Sequence, residues 1–137
     1  MIYNFFMPMI PPTVTDQEHR FDKTKSGKRI VYDTPELKDA KAKLTAHLAK
    51  HIPAEKFTGA VRLCVKWCFP ITSGHYDGEY KTTKPDTDNL QKALKDCMTK
   101  LGYWTDDALV ASEVIEKFYA KTTGVFVIIG SIEEWSK

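Results

Sequence analysis

The chain has 137 residues, of which 42% are hydrophobic and 28% charged, with a formal net charge of +2. That size fits a single domain over 1–137 with a core that needs no disulfide or metal staple, and the composition excludes a disordered chain. It is too short for a complete barrel enzyme, and no apolar run approaches the roughly 18 residues of a membrane span. Three cysteines, Cys64, Cys68 and Cys97, are an odd, low count that points to a reducing, cytoplasmic compartment.

Residues 2–7 read as a first strand, stopped by Pro8, Pro11 and Pro12. The opening has no basic leader region and is expected to be strand and turn, not a secretory signal. Residues 13–29 are polar and read as a loop or arm. Within them Arg20, Lys23, Lys25, Lys28 and Arg29 stand against the single acid Asp22. Such an arm suits contacts to phosphates that position nucleic acid without reading bases, or is simply a solvated loop.

Thr34-Pro35-Glu36-Leu37 predicts a helix start, with Thr34 as cap and Pro35 at the first helical position, and Pro53 closes the segment. Residues 61–69 alternate: Val61, Leu63, Val65, Trp67 and Phe69 on one face, Arg62, Cys64, Lys66 and Cys68 on the other. That is a strand with one core face. Residues 71–84 carry two glycines and no period, which predicts a long loop. A second helix over about 89–101 follows from Leu90, Ala93, Leu94, Cys97 and Leu101, with Gly102 to end it. Residues 103–107 read as a turn. Strands are expected over 113–120 and 125–129, with 122–124 as a hairpin turn between them. The sum is a small α+β domain: a mixed sheet of about four strands packed with two main helices.

The sharpest local feature is Lys84-Pro85-Asp86-Thr87-Asp88-Asn89, with Lys92 one turn into the helix. In extended backbone Asp86 and Asp88 point the same way. A second pair, Asp106-Asp107, follows the helix, and an antiparallel return can bring it back to the first. Crowded carboxylates repel one another, and a hard divalent cation relieves that cost. Such a set suits metal-assisted phosphoryl transfer, with Lys92 facing the charge that develops on the phosphate. The plainer readings are Asp88 as helix N-cap, Asp106-Asp107 as a solvent turn, and Lys92 as a partner for a neighbouring Asp. The calcium-loop pattern fails, because Leu90 and Gln91 stand where an acid or amide and a glycine are needed. His19 and His75 are not called for by an all-oxygen site.

In KPDTDNLQKALKD, the following LGYWTDDALV, Lys117 beyond it, and the opening MPMIPPTVT, the sequence resembles the RusA family of Holliday junction resolvases over roughly 1–130. The resemblance implies a RusA-like domain and a homodimeric, Mg²⁺-dependent endonuclease (Mn²⁺ as a substitute) that nicks two strands of a four-way DNA junction symmetrically, in phage or prophage recombination and repair. It maps the family's catalytic aspartates onto Asp86, Asp88 and Asp107 and its essential lysine onto Lys92. Asp106 is then an adjacent candidate ligand and Asp96 a helix acid of lesser weight. Lys84 and Lys117 join the basic arm as candidate DNA contacts. The alternatives are a nuclease for other branched or flap DNA, and a structure-selective DNA-binding protein without catalysis.

Overall fold

The structure is a computed structural model that describes residues 2–13, 19–23 and 29–135, with 19–23 and 29–32 as backbone alone. Strand β1 (Ile2–Pro8) is followed by a hairpin of β2 (His19–Lys23) and β3 (Arg29–Asp33). Helix α1 (Pro35–Leu48) leads to β4 (Val61–Phe69), helix α2 (Thr87–Leu101), β5 (Val110–Tyr119), β6 (Gly124–Ser131) and the short α3 (Ile132–Trp135). The expected arm over 13–29 thus contains both β2 and the start of β3.

The main sheet has four strands in the order β1-β6-β4-β5. β4 pairs antiparallel with β6 and parallel with β5. The mixed sheet is therefore as expected, but the hairpin at 122–124 is not. β5 and β6 are not neighbours, because β4 lies between them and the segment at 122–124 crosses its end. The local turn residues were readable; the insertion of an earlier strand between two consecutive ones is a tertiary choice. Gly124 has φ 157°, and a Cβ there would lie 2.3 Å from Phe6 Cζ and 2.5 Å from the Met7 carbonyl. β1 comes this close only because residue 124 has no side chain.

The alternation in β4 is realised in full. Val61, Leu63, Val65, Trp67 and Phe69 are buried, and the intervening residues are at least partly exposed. The buried face meets Leu44 and Leu48 of α1 and Leu90, Ala93, Leu94, Cys97 and Met98 of α2 in one core. Each of the valine, leucine, phenylalanine and methionine side chains among them contributes about 1.5–3 kcal/mol when taken out of water.

Both helix ends follow their local chemistry. Thr34 Oγ1 accepts the Leu37 N–H at 3.3 Å. Gly102 ends α2 in the left-handed region at φ 86°. The next two side chains turn inward: Tyr103 Oη donates to the Leu48 carbonyl at 2.6 Å, and Trp104 Nε1 donates to Thr99 Oγ1 at 2.7 Å. This pins the end of α2 to α1 and fixes where the second acidic pair begins.

Candidate active site

Asp86, not Asp88, is the N-cap of α2. Its backbone is extended (φ −74°, ψ 146°), and its carbonyl accepts the Leu90 N–H at 3.1 Å. The expected cap at Asp88 is corrected by two residues because the helix already starts at Thr87. Asp86 makes no side-chain capping bond. Asp88 lies in the first turn, where the positive end of the helix favours a carboxylate. Asp86, Asp88 and Lys92 are all exposed. Among the described residues none of the three forms a side-chain hydrogen bond or salt bridge, so Lys92 is not spent on Asp88 four residues back. Two carboxylates and an ammonium are left open to solvent beside one helix terminus.

The loop before Asp86 is fastened from below. Lys117 Nζ, on β5, donates to the Thr83 carbonyl at 2.6 Å and to the Pro85 carbonyl at 2.7 Å. Burial holds the Lys117 ammonium below the ordinary lysine range; nearby Lys81 adds to this and Asp86 opposes it. Lys81 Nζ donates to Thr83 Oγ1 at 2.6 Å and lies over the Phe69 and Tyr119 rings. Lys117 is therefore held against the loop's backbone, whereas Lys84 is exposed at the loop's surface. A second fastening acts on the helix. Trp67 Nε1 on β4 donates to Oε1 of the buried Gln91 at 3.4 Å.

The long loop over 71–84 is also tied to β5. The Gly78 and Lys81 amides donate to the Tyr119 and Lys117 carbonyls, and the Tyr119 amide donates to the Glu79 carbonyl. His75 stacks on Tyr119 and meets Glu79 at 2.9 Å. That bond is the main reason the Glu79 carboxyl lies below its usual range. Tyr80 stacks on Phe118, and its hydroxyl donates to Glu116 at 2.7 Å.

The second acidic pair lies at the other end of α2. Asp107 opens a 3-10 turn, Asp107–Leu109, capped by Asp106, whose carboxylate accepts the Ala108 N–H at 2.9 Å. A shallow pocket there is lined by Asp96, Thr99, Lys100, Thr105, Asp106 and Asp107. From Asp86 to Thr99 the helix rises about 20 Å at 1.5 Å per residue. Among the described residues no three acids, histidines or cysteines are grouped to hold a metal ion. The expected meeting of Asp86, Asp88 and Asp107 therefore does not occur within one chain. The return strand β5 does run back to the start of α2, but by the time it arrives the residue delivered is Lys117.

Asp96 is committed elsewhere. Lys41 of α1 bridges Asp96 at 3.5 Å and Asp33 at 3.2 Å, linking both helices to β3. Lys25 and Lys28 of the basic arm lie outside the described residues. Arg20, Lys23 and Arg29 fall on β2 and β3, where their side chains lie outside them too. The sequence reading missed Lys81 and Gln91. Gln91 left a signal, a polar residue beside the apolar stripe of α2; Lys81 left none.

A family model described as "Endodeoxyribonuclease RusA" matches residues 10–130. The chain is 34% identical over 110 residues to the "Crossover junction endodeoxyribonuclease rusA" of Lactococcus phage r1t, covering 79% of this chain and 80% of that protein. It is 29% identical over 119 residues to the "Uncharacterized protein YqaN" of Bacillus subtilis (strain 168), covering 79% and 83%.

Proposed function

The chain belongs to the RusA endodeoxyribonuclease family, and from that premise we propose that it resolves four-way DNA junctions by hydrolysing one phosphodiester in each of two strands, with Mg²⁺ as cofactor, in recombination and repair. The observation that carries this reading is the open pair Asp86 and Asp88 with Lys92 one turn on, none of them in a side-chain hydrogen bond or salt bridge among the described residues. An all-oxygen donor set of exposed carboxylates fits a hard divalent cation, with Mn²⁺ as a workable substitute. Asp86 and Asp88 would hold the metal, which supplies Lewis-acid stabilisation of the phosphate under attack. Lys92 places an exposed ammonium where charge grows on the phosphate oxygens. Lys84 lies on the approach to the site and suits a neighbouring phosphate, as does the basic arm.

Among the described residues, one chain brings only two acids together here. Asp107, with Asp106 beside it, lies by Thr99 and Lys100 at the far end of α2, whose rise from Asp86 to Thr99 is about 20 Å, and this placement supports a homodimer in which the second copy completes each site. β5 is an edge strand of the sheet. The backbone of loop residues 78–81 bonds only to its final residues 117–119, which leaves the earlier backbone of that edge open among the described residues. The open stretch lies between the two acidic motifs. A two-fold axis through it sets two copies antiparallel and brings the partner subunit's Asp107 toward Asp86 and Asp88, twice over. Two sites related by that axis match the two equivalent strands of a four-way junction.

The test is cleavage of a four-way junction, a flap and a linear duplex, in Mg²⁺ and in EDTA, by the wild-type chain and by Asp88→Asn. Paired nicks in the junction alone, lost in EDTA and in the variant, are the expected result. Equal cutting of flaps moves the assignment to a general branched-DNA nuclease. Junction binding without any cutting refutes catalysis, and normal cutting by Asp88→Asn refutes the role given to Asp88.

A further inference from the structure

We infer that Lys117 is a positioning residue for the acidic motif, a clamp that fixes the backbone leading into Asp86 instead of gripping DNA. The inference rests on the metal-dependent site proposed above. Two of the three N–H bonds of the ammonium point at two carbonyls of one short segment, Thr83 at 2.6 Å and Pro85 at 2.7 Å. Charge-assisted bonds of that length are about twice as strong as neutral ones. They gather both sides of residue 84 onto one point, immediately before the N-cap.

The post that carries this clamp is rigid. Lys117 is paired with Trp67 in the parallel β4–β5 ladder, and its own carbonyl takes the Lys81 N–H at 2.9 Å. Trp67 in turn holds Gln91 in the second turn of α2. Two facing residues on adjacent strands thus hold the two sides of Asp86 and Asp88, one through the loop and one through the helix. Asp86 receives no help from its own capping chemistry, since its side chain makes no cap bond. Its aim therefore depends on where Pro85 is held. Pro85 is buried while Asp86 is exposed, so the chain emerges from the protein at that step. A phosphate contact would need an ammonium presented to solvent with its donors unspent, as at Lys84 and Lys92. Lys117 is half-buried, and two of its three donors are already committed to carbonyls.

The experiment compares wild type with Lys117→Met, Lys117→Gln and Lys117→Arg in three measurements on the full chain. Amide hydrogen exchange over residues 82–90, without DNA or metal, is expected to rise about tenfold or more in Lys117→Met and to return partly in Lys117→Arg. Junction affinity in EDTA is expected to stay within about twofold, with an unchanged salt slope. The Mg²⁺ concentration for half-maximal cleavage is expected to rise about tenfold, with partial rescue by arginine. A salt slope lowered by about one unit, with unchanged exchange and Mg²⁺ dependence, identifies a phosphate contact and overturns the inference. No change in exchange overturns it as well. If Lys117→Met does not melt cooperatively, Lys117→Gln and Lys117→Arg decide by the same measurements. If the wild type cuts no junction, the functional reading fails, while the exchange measurement still decides the clamp.

Discussion

Mixing two inactive variants tests whether one site draws on two chains. The chosen pair is Asp86→Asn and Asp107→Asn. Two oxygens bound to one Mg²⁺ at about 2.1 Å lie only some 3 Å apart. In a single chain the positions compared are near opposite ends of a 15-residue helix, about 20 Å apart at 1.5 Å per residue. No side-chain rotation spans that gap, and α2 is held at both ends, by Gln91 to Trp67 and by the Tyr103 hydroxyl to Leu48. Either all three acids meet across two subunits, or Asp107 has no part in the site.

The mixture separates these cases. Each variant alone is expected to be inactive. After unfolding and refolding together in equal amounts, about half of the dimers carry one of each chain. In such a dimer one site has both substitutions and the other has none. About a quarter of all sites are then intact, and no dimer has two. The expected product is therefore single nicking of the junction at about a quarter of the wild-type rate per site, without paired resolution. The assay is gel separation of nicked from linearised products on a junction carried by a supercoiled plasmid. A site built within one chain gives no activity in any mixture, because every chain is substituted. No recovery at all, with heterodimers verified by mass spectrometry, refutes the two-chain site. Full activity of Asp107→Asn alone refutes any role for that acid.

Lys92→Ala is expected to lower junction cleavage about a hundredfold or more at saturating protein while leaving junction affinity in EDTA within a fewfold, read by single-turnover kinetics and gel shift. Gly124→Ala forces a methyl group to 2.3 Å from the Phe6 ring and 2.5 Å from the Met7 carbonyl, and is expected to cost about 3 kcal/mol in urea unfolding. Tyr103→Phe leaves the Leu48 carbonyl without its 2.6 Å donor and is expected to cost about 1–2 kcal/mol with cleavage unchanged. Burial is the first cause that raises the thiols of Cys64, Cys68 and Cys97 above their ordinary range. Disulfide-exchange labelling is therefore expected to be slow at pH 8 and to quicken only as pH climbs past the usual thiol range, with the buried Cys97 reacting last.

What the sequence made legible was whatever rests on local chemistry. The cap at Thr34, the stop at Gly102 and the alternation from Val61 to Phe69 each depend on a few adjacent residues, and each appears in the fold where expected. The two acidic motifs were legible as chemistry, because residue type and spacing alone mark them out. Their relative placement was not. An antiparallel return after α2 does exist, but what it delivers depends on which end of the ten-residue β5 is considered. The same limit explains the misread turn at 122–124. Its residues suit a hairpin, and nothing local reveals that β4 occupies the place beside β6. Lys117 shows the converse case. It was legible as a cation, but its bonds to the Thr83 and Pro85 carbonyls were not, because backbone carbonyls more than thirty residues away carry no side-chain signature.

The position of Asp86 and Asp88 sets an electrostatic condition on the site. At the start of a helix the unpaired amides and the aligned peptide dipoles amount to about half a positive charge. That end favours the two carboxylates and works against a cation between them. Lys92, Lys84 and Lys117 add positive charge close by, and Asp86 already acts on the Lys117 ammonium. On the proposed reading, two acids in such surroundings would hold a divalent ion weakly, and a third carboxylate, brought from outside this positive region, would tip the balance. The only acids of the second motif lie by the far end of α2, near its negative pole, where the same chain cannot use them. On the proposed reading, such a site would gain its cation when a second copy docks, so that metal binding, and with it strand cleavage, would be restricted to the assembled pair that presents two equivalent sites to a two-fold junction.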